Sequence, residues 1–171
     1  MAYFNEENTV EQMLINAAGK CGWIYVEPQE VPRLPDEVLV TEWLVTALRR
    51  LNPITEDQAA QVVYRLRAAC SIGTNHEELI NANDRFRRLL FEENSYPFGE
   101  DGKQVSIDFF GTEINGKLDQ NQYVVTNQWV YPKKDGGKRL DIVLLVNGFP
   151  FVIGELKTPV RAAITWLDGA Q

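Results

Sequence analysis

The sequence predicts an α/β or α+β protein: helices, then strands with a mostly antiparallel beginning, then the start of a further helix. Three observations carry this. Between about residues 36 and 93, apolar residues recur at three- and four-residue spacing, the period of a helix with one buried face. From about 104 to 158 the texture changes to apolar runs joined by turn-rich segments. A helix-then-strand pair over 5–26 precedes both. At 171 residues, with 44% apolar and 24% charged side chains, the chain fits one domain and can bury a core without staples.

Taken in order, "NEENTVEQMLINAAGK" (5–20) reads as a helix. Val10, Met13, Leu14 and Ala17 fall on one stripe, and Thr9 with Gln12 forms a capping box. Trp23 to Val26 reads as a short strand ended by Pro28, and "EPQEVPRLP" must be a loop because three prolines interrupt it. "DEVLVTEWLVTALRRLN" carries Val38, Leu39, Trp43, Leu44, Leu48 and Leu51 on one face, with Asp36 as its cap and Pro53 as its stop. "TEDQAAQVVYRLRAAC" opens on a Thr55/Gln58 capping box, and "TNHEELINANDRFRRLLFEEN" on a Thr74/Glu77 one. Arg85, Arg87 and Arg88 on that last helix read as a solvated face paired to Glu92, with a DNA-facing patch as the alternative. Then "QVSIDFFG", "QYVVTNQWVYP", "RLDIVLLVNG" and "FPFVIGELKTP" read as strands whose short connections imply antiparallel neighbours. After Pro159 a further helix is expected to begin.

Charge and cysteine content exclude several classes. No stretch approaches the roughly 20 apolar residues of a membrane span, and "MAYFNEENTVEQ" lacks the basic-then-apolar order of a secretory signal, so a cytoplasmic location is expected. Cys21 and Cys70 stand apart with no ligand-spaced companions, and His76 is the single histidine, which excludes a multi-histidine metal site. Net charge is −7, yet residues 131–171 carry six basic and four acidic side chains. The one basic part of an acidic chain therefore contains "RLDIVLLVNGFPFVIGELKTP", residues 139–159.

That stretch is the chemical centre of the sequence. Two strands apolar on both faces flank an Asn-Gly, and they carry Asp141, Glu155 and Lys157. A carboxylate in such a strand must be paired, protonated or bound to a cation. Two carboxylates and one ammonium are the minimal kit for metal-dependent phosphodiester hydrolysis. The carboxylates hold Mg²⁺, a hard cation, and the lysine orients water or neutralises developing charge.

Register decides whether the three can meet. Glu155 and Lys157, two apart, share a face. A plain two-residue Asn147-Gly148 turn pairs Val146 with Phe149, which sets Asp141 opposite Gly154 and on the other face from Glu155. A shared site needs one residue more: a three-residue loop or a bulge, after which Asp141 faces Glu155 directly. The metal reading thus predicts a longer or bulged connection around Asn147-Gly148.

With these residues in view, the sequence resembles the PD-(D/E)xK nuclease superfamily, and more closely the N-terminal nuclease domain of the R (restriction, motor) subunit of type I restriction-modification enzymes. "TVEQMLINAAGKCGWIYV", "LRRLNP", "ELINANDRFRRLL", "VSIDFF" and "NQYVVTNQWVY" match that family's segments in the same order as the Asp…Glu-x-Lys block. The resemblance implies Asp141 and Glu155 as Mg²⁺ ligands with the backbone carbonyl of Leu156, Lys157 as the catalytic lysine, and Glu11 as an acidic residue of the first helix facing the site; read from the residues alone, Glu11 is equally a solvated helix residue. Leu140 stands where the superfamily's name has Pro. Gln171 matches the first residue of a Gln-x-x-x-Tyr motif.

The resemblance further implies a nuclease core with a mixed central sheet flanked by helices, truncated after the third core strand, in an N-terminal fragment, 1–171, of a larger subunit, with a helical insertion at about 36–93 and a catalytic sheet at about 104–158. The substrate it implies is double-stranded DNA, cut without base readout. The partners it implies are methylation and specificity subunits. ATP would be used by motor domains, because no G-x-x-x-x-G-K-[ST] loop occurs in this chain. Phosphate contacts fall to Lys133, Lys134, Lys138, Arg139 and Arg161. The alternatives are a DNA-binding or assembly module that keeps the fold without the chemistry, and a hydrolase using Asp141 and Glu155 as an acid/base pair, which leaves Lys157 without a role.

Overall fold

A computed structural model of the chain describes residues 10–70, 76–131 and 137–156. Four helices and six strands follow one another: α1 (Glu11–Lys20), β1 (Ile24–Tyr25), α2 (Thr41–Leu51), α3 (Glu56–Cys70), α4 (His76–Phe91), β2 (Ser95–Tyr96), β3 (Val105–Ser106), β4 (Tyr123–Tyr131), β5 (Lys138–Val146) and β6 (Phe149–Gly154). They divide between two compact units, Met1–Val40 with Gln122–Gln171, and Thr41–Asn121.

The first unit holds a mixed four-stranded sheet in the order β1-β4-β5-β6. β1 runs parallel to β4, and β4-β5 and β5-β6 are antiparallel. The expected mixed α/β architecture is thus present. On one face Ile15 of α1 packs with Val125 and Ile142, joined by Ala18, Trp23, Tyr25, Leu144 and Leu156. Burying such side chains is worth roughly 1.5–3 kcal/mol each.

α1 turns a different face inward from the one its apolar stripe predicts. Met13 and Leu14 are exposed, while Glu11 and Ile15, one helical turn apart, are buried with Ala18 behind them. The pattern misleads because a carboxylate occupies the inner stripe. Thr9, the expected cap, lies outside the described residues, and Gln12 instead donates to Asn16 Oδ1 at 3.0 Å.

In the second unit α2 starts at Thr41, later than Asp36 implied, and buries Leu44, Ala47, Leu48 and Leu51. The Thr55/Gln58 capping box forms reciprocally at the start of α3. On α4, Arg87 pairs with Asp84 and Glu92 and Arg88 with Glu92 and Glu93, the solvated arrangement expected. "QVSIDFFG" is not a strand of the main sheet. Only Val105–Ser106 is extended, and it pairs with the unforeseen β2 in a separate two-stranded sheet. The rest is a loop held by polar contacts. Asn52 brackets Asp108, accepting its N–H and donating to its carbonyl, each at 2.8 Å. Lys117 bonds the Asp108 carboxylate at 2.7 Å, and Asn121 brackets Gly111 in the same two-bond manner.

Candidate active site

The β5–β6 hairpin is built by a tight turn and then offset by one residue. Val146 pairs with Phe149 across Asn147-Gly148. Both turn residues have positive φ, +53° and +87°, the geometry that the twist of a two-residue hairpin favours and that Asn and Gly tolerate. Buried Asn147 is also tied to Gln122 through reciprocal bonds of 2.8 and 2.9 Å. Farther along, Leu145 faces Pro150 but Leu144 faces Val152, so Phe151 is an extra residue in β6. Beyond the bulge Val143 faces Ile153 and Ile142 faces Gly154. One more step of this register sets Asp141 opposite Glu155. The turn is therefore the simple one, and the offset needed for a shared site comes from the bulge.

Continued past Gly154, the last residue of β6, this register puts Asp141 and Glu155 on one face. Ile142 belongs to the core under α1, and strand alternation turns its neighbour Asp141 to the other side. The Asp141 carboxylate accepts the Leu156 N–H at 2.7 Å, so Asp141 and the residue after Glu155 are in direct contact. Leu156 itself packs its side chain into the core. Glu155 is exposed. Lys138 and Arg139, exposed at the start of β5, lie three and two residues from Asp141. Lys157, Lys133, Lys134, Arg161 and Gln171 lie outside the described residues.

Glu11 is not a solvated helix residue. It is 2% exposed. Asn127 Nδ2 donates to its Oε2 at 2.9 Å and Gln128 Nε2 donates to its Oε1. Tyr25 donates to Asn127 Oδ1 at 2.9 Å, which fixes the orientation of that amide. Burial first, and the neighbouring Glu27 second, push the Tyr25 phenol up to about 12, so it remains a donor across the neutral range. Among the described residues, no three His, Cys, Asp or Glu side chains form a group able to hold a metal ion.

Sequence reading missed Gln128. It stands where the β4–β5 ladder pauses: Asn127 faces Ile142 and Trp129 faces Leu140, so Gln128 is across from Asp141 without pairing. Its φ is +49°, a left-handed conformation costing a side-chain-bearing residue roughly 1–2 kcal/mol. The visible signal was "TNQ", consecutive polar residues inside an apolar strand. Arg33 was also missed. Its guanidinium lies 3.7 Å from the Trp129 ring centroid and donates to the carbonyls of Leu34, Pro35, Glu37 and Val130. That pins the proline-rich loop to β4 beside a cleft of about 360 Å³, which Asn127 and Gln128 also line.

Residues 3–170 match the family model described as type I restriction enzyme R protein N terminus. The chain belongs to this family. It is 29% identical over 171 residues to the type I restriction enzyme HindI endonuclease subunit of Haemophilus influenzae, covering 95% of this chain and 16% of that subunit. It is 23% identical over 172 residues to the putative type I restriction enzyme MjaIXP endonuclease subunit of Methanocaldococcus jannaschii, covering 92% of this chain and 16% of that subunit. The chain thus spans about a sixth of the length of these curated relatives of the R-protein N-terminal family. Among the described residues, no helix is long and apolar enough to cross a membrane.

Proposed function

We propose that this chain is the Mg²⁺-dependent endonuclease domain of a type I restriction enzyme R subunit, hydrolysing phosphodiesters of double-stranded DNA. The observation that carries the reading is the Phe151 bulge, which offsets the hairpin by one residue and so sets Asp141 opposite Glu155. The family and the two endonuclease-subunit relatives support the same reading.

The residues present fit the metal. Two carboxylates on one face and the backbone carbonyl of Leu156 are an all-oxygen donor set, the kind a hard cation takes. Asp141 and Glu155 would hold Mg²⁺ with that carbonyl, and the bound ion would supply charge stabilisation at phosphorus and a more acidic water. The Leu156 N–H holds Asp141 Oδ2 in place and leaves Asp141 Oδ1 for the ion. Lys157, two residues beyond Glu155, supplies an ammonium for the charge that develops on the phosphoryl oxygens. Lys138 and Arg139, with Lys133, Lys134 and Arg161, meet the DNA backbone through phosphate contacts, so binding weakens with salt and carries no base preference.

The 16% coverage of the relatives supports a longer subunit; in this reading its remaining domains use ATP and bring in the methylation and specificity subunits in the cytoplasm. The test is plasmid cleavage by the full-length subunit in its complex, comparing wild type with Lys157→Ala, each with Mg²⁺ and with EDTA. Cleavage is expected only in the wild type with Mg²⁺. Cutting that survives both EDTA and the substitution removes the assignment.

A further inference from the structure

Asn127 and Gln128 are adjacent in β4, and both side chains reach the same buried carboxylate. A regular strand forbids this, because successive side chains point to opposite faces. The left-handed φ of Gln128 is what permits it. Regular alternation would put Gln128 on the face away from Asn127, which is the face of Asp141, directly across the ladder from it. Cross-strand neighbours on one face stand close enough to touch, roughly 5 Å between Cβ atoms. A carboxamide there would donate to the Asp141 carboxylate and fill the space beside it. Instead the Gln128 amide is drawn through the sheet line to Glu11.

We propose that Glu11 is a positioning residue that acts through Gln128: by holding the Gln128 side chain on the α1 side, it keeps the space beside Asp141 clear for a divalent cation. The role rests on the reading of Asp141 as a metal ligand, and it needs no contact between Glu11 and the ion. It accounts for three otherwise separate features: a 2%-exposed glutamate whose described partners are neutral amides, a strained glutamine in a central strand, and a ladder gap opposite the candidate ligand. A glutamate serving as a ligand itself would account only for the first.

The test measures Mn²⁺ binding to the full-length subunit by calorimetry without nucleotide, together with the melting temperature in EDTA and plasmid nicking. Glu11→Ala releases Gln128 and is expected to weaken Mn²⁺ binding about tenfold, whereas Glu11→Ala with Gln128→Gly restores it to within about twofold of wild type. Gln128→Gly alone binds like wild type, since glycine accepts the left-handed backbone and has no side chain to misplace. Glu11→Gln also binds like wild type, because the Gln128 amide can reverse and offer its oxygen. Failure of the double variant to recover, or loss of binding in Glu11→Gln with the EDTA melting temperature unchanged, overturns the positioning role. Wild-type binding in Asp141→Asn would instead remove the metal-site reading on which the role rests.

Discussion

The unit of Thr41–Asn121 and the unit that carries the sheet treat their acidic side chains differently. In the former, Asp108 meets the Lys117 ammonium at 2.7 Å, and its backbone is bracketed by Asn52. Charge is cancelled locally, and these contacts hold the loop. In the latter, the described partners of Glu11 are two carboxamides, and that of Asp141 is a backbone N–H. These donors orient a carboxylate without neutralising it. A charge left standing in a folded interior is useful only to something that brings the opposite charge. The contrast separates an acid whose charge is paired locally from acids held by neutral donors.

The comparison breaks most visibly at Asp141. Asp141→Asn keeps an acceptor for the Leu156 N–H but removes the charge. DNA cleavage by the assembled enzyme should fall roughly 10²–10³-fold, the scale for losing one electrostatic element of a phosphoryl or acyl site, while thermal stability holds. A matching loss of stability would place Asp141 with Asp108 as a structural acid.

Gly111→Ala probes the other side. An added Cβ would sit 1.7 Å from the Lys117 carbonyl oxygen, so the loop must open. We expect a loss of about 3 kcal/mol in denaturant unfolding, with Mn²⁺ affinity unchanged. Asn52→Ala leaves the Asp108 N–H and carbonyl without these partners and should cost about 2 kcal/mol, again without touching metal binding. If either variant weakened Mn²⁺ binding while still folded, the division of roles would fail.

The smallest effect concerns Tyr25. Its phenol is raised to about 12 in the fold against an ordinary value of 10.0. The folded state therefore holds the proton more tightly, and the contribution is complete below about pH 10 and lost as pH rises toward 12. Stability measured by denaturant between pH 9 and 12 should decline over that window, and Tyr25→Phe should flatten the decline. An unchanged slope in the variant would mean that burial and Glu27 do not raise the Tyr25 phenol.

Particular residues show what a linear reading can see. The Asp…Glu-x-Lys block was visible as a candidate, and the Thr55/Gln58 cap and the ion-paired face of α4 were legible because each is a local pattern of residue types at fixed spacing. The need for an extra residue in the hairpin was legible too, since it follows from parity alone. Its location was not: nothing in "FPFVIG" singles out Phe151, because a bulge forms where the packing on both strands tolerates it. The inner face of α1 was misread, since hydrophobic spacing assigns Met13 and Leu14 inward and Glu11 outward.

By itself, then, the amino-acid sequence determined the family, the helix and strand segments that alternate by period, and which side chains can do chemistry. The tertiary structure decided which of them meet. A one-residue bulge moves every later side chain to the opposite sheet face, so it alone sets Asp141 against Glu155. A left-handed residue breaks strand alternation, so it alone lets Asn127 and Gln128 share Glu11. Both are departures from regular geometry that are stabilised by contacts distant in the chain, and periodicity carries no record of such contacts.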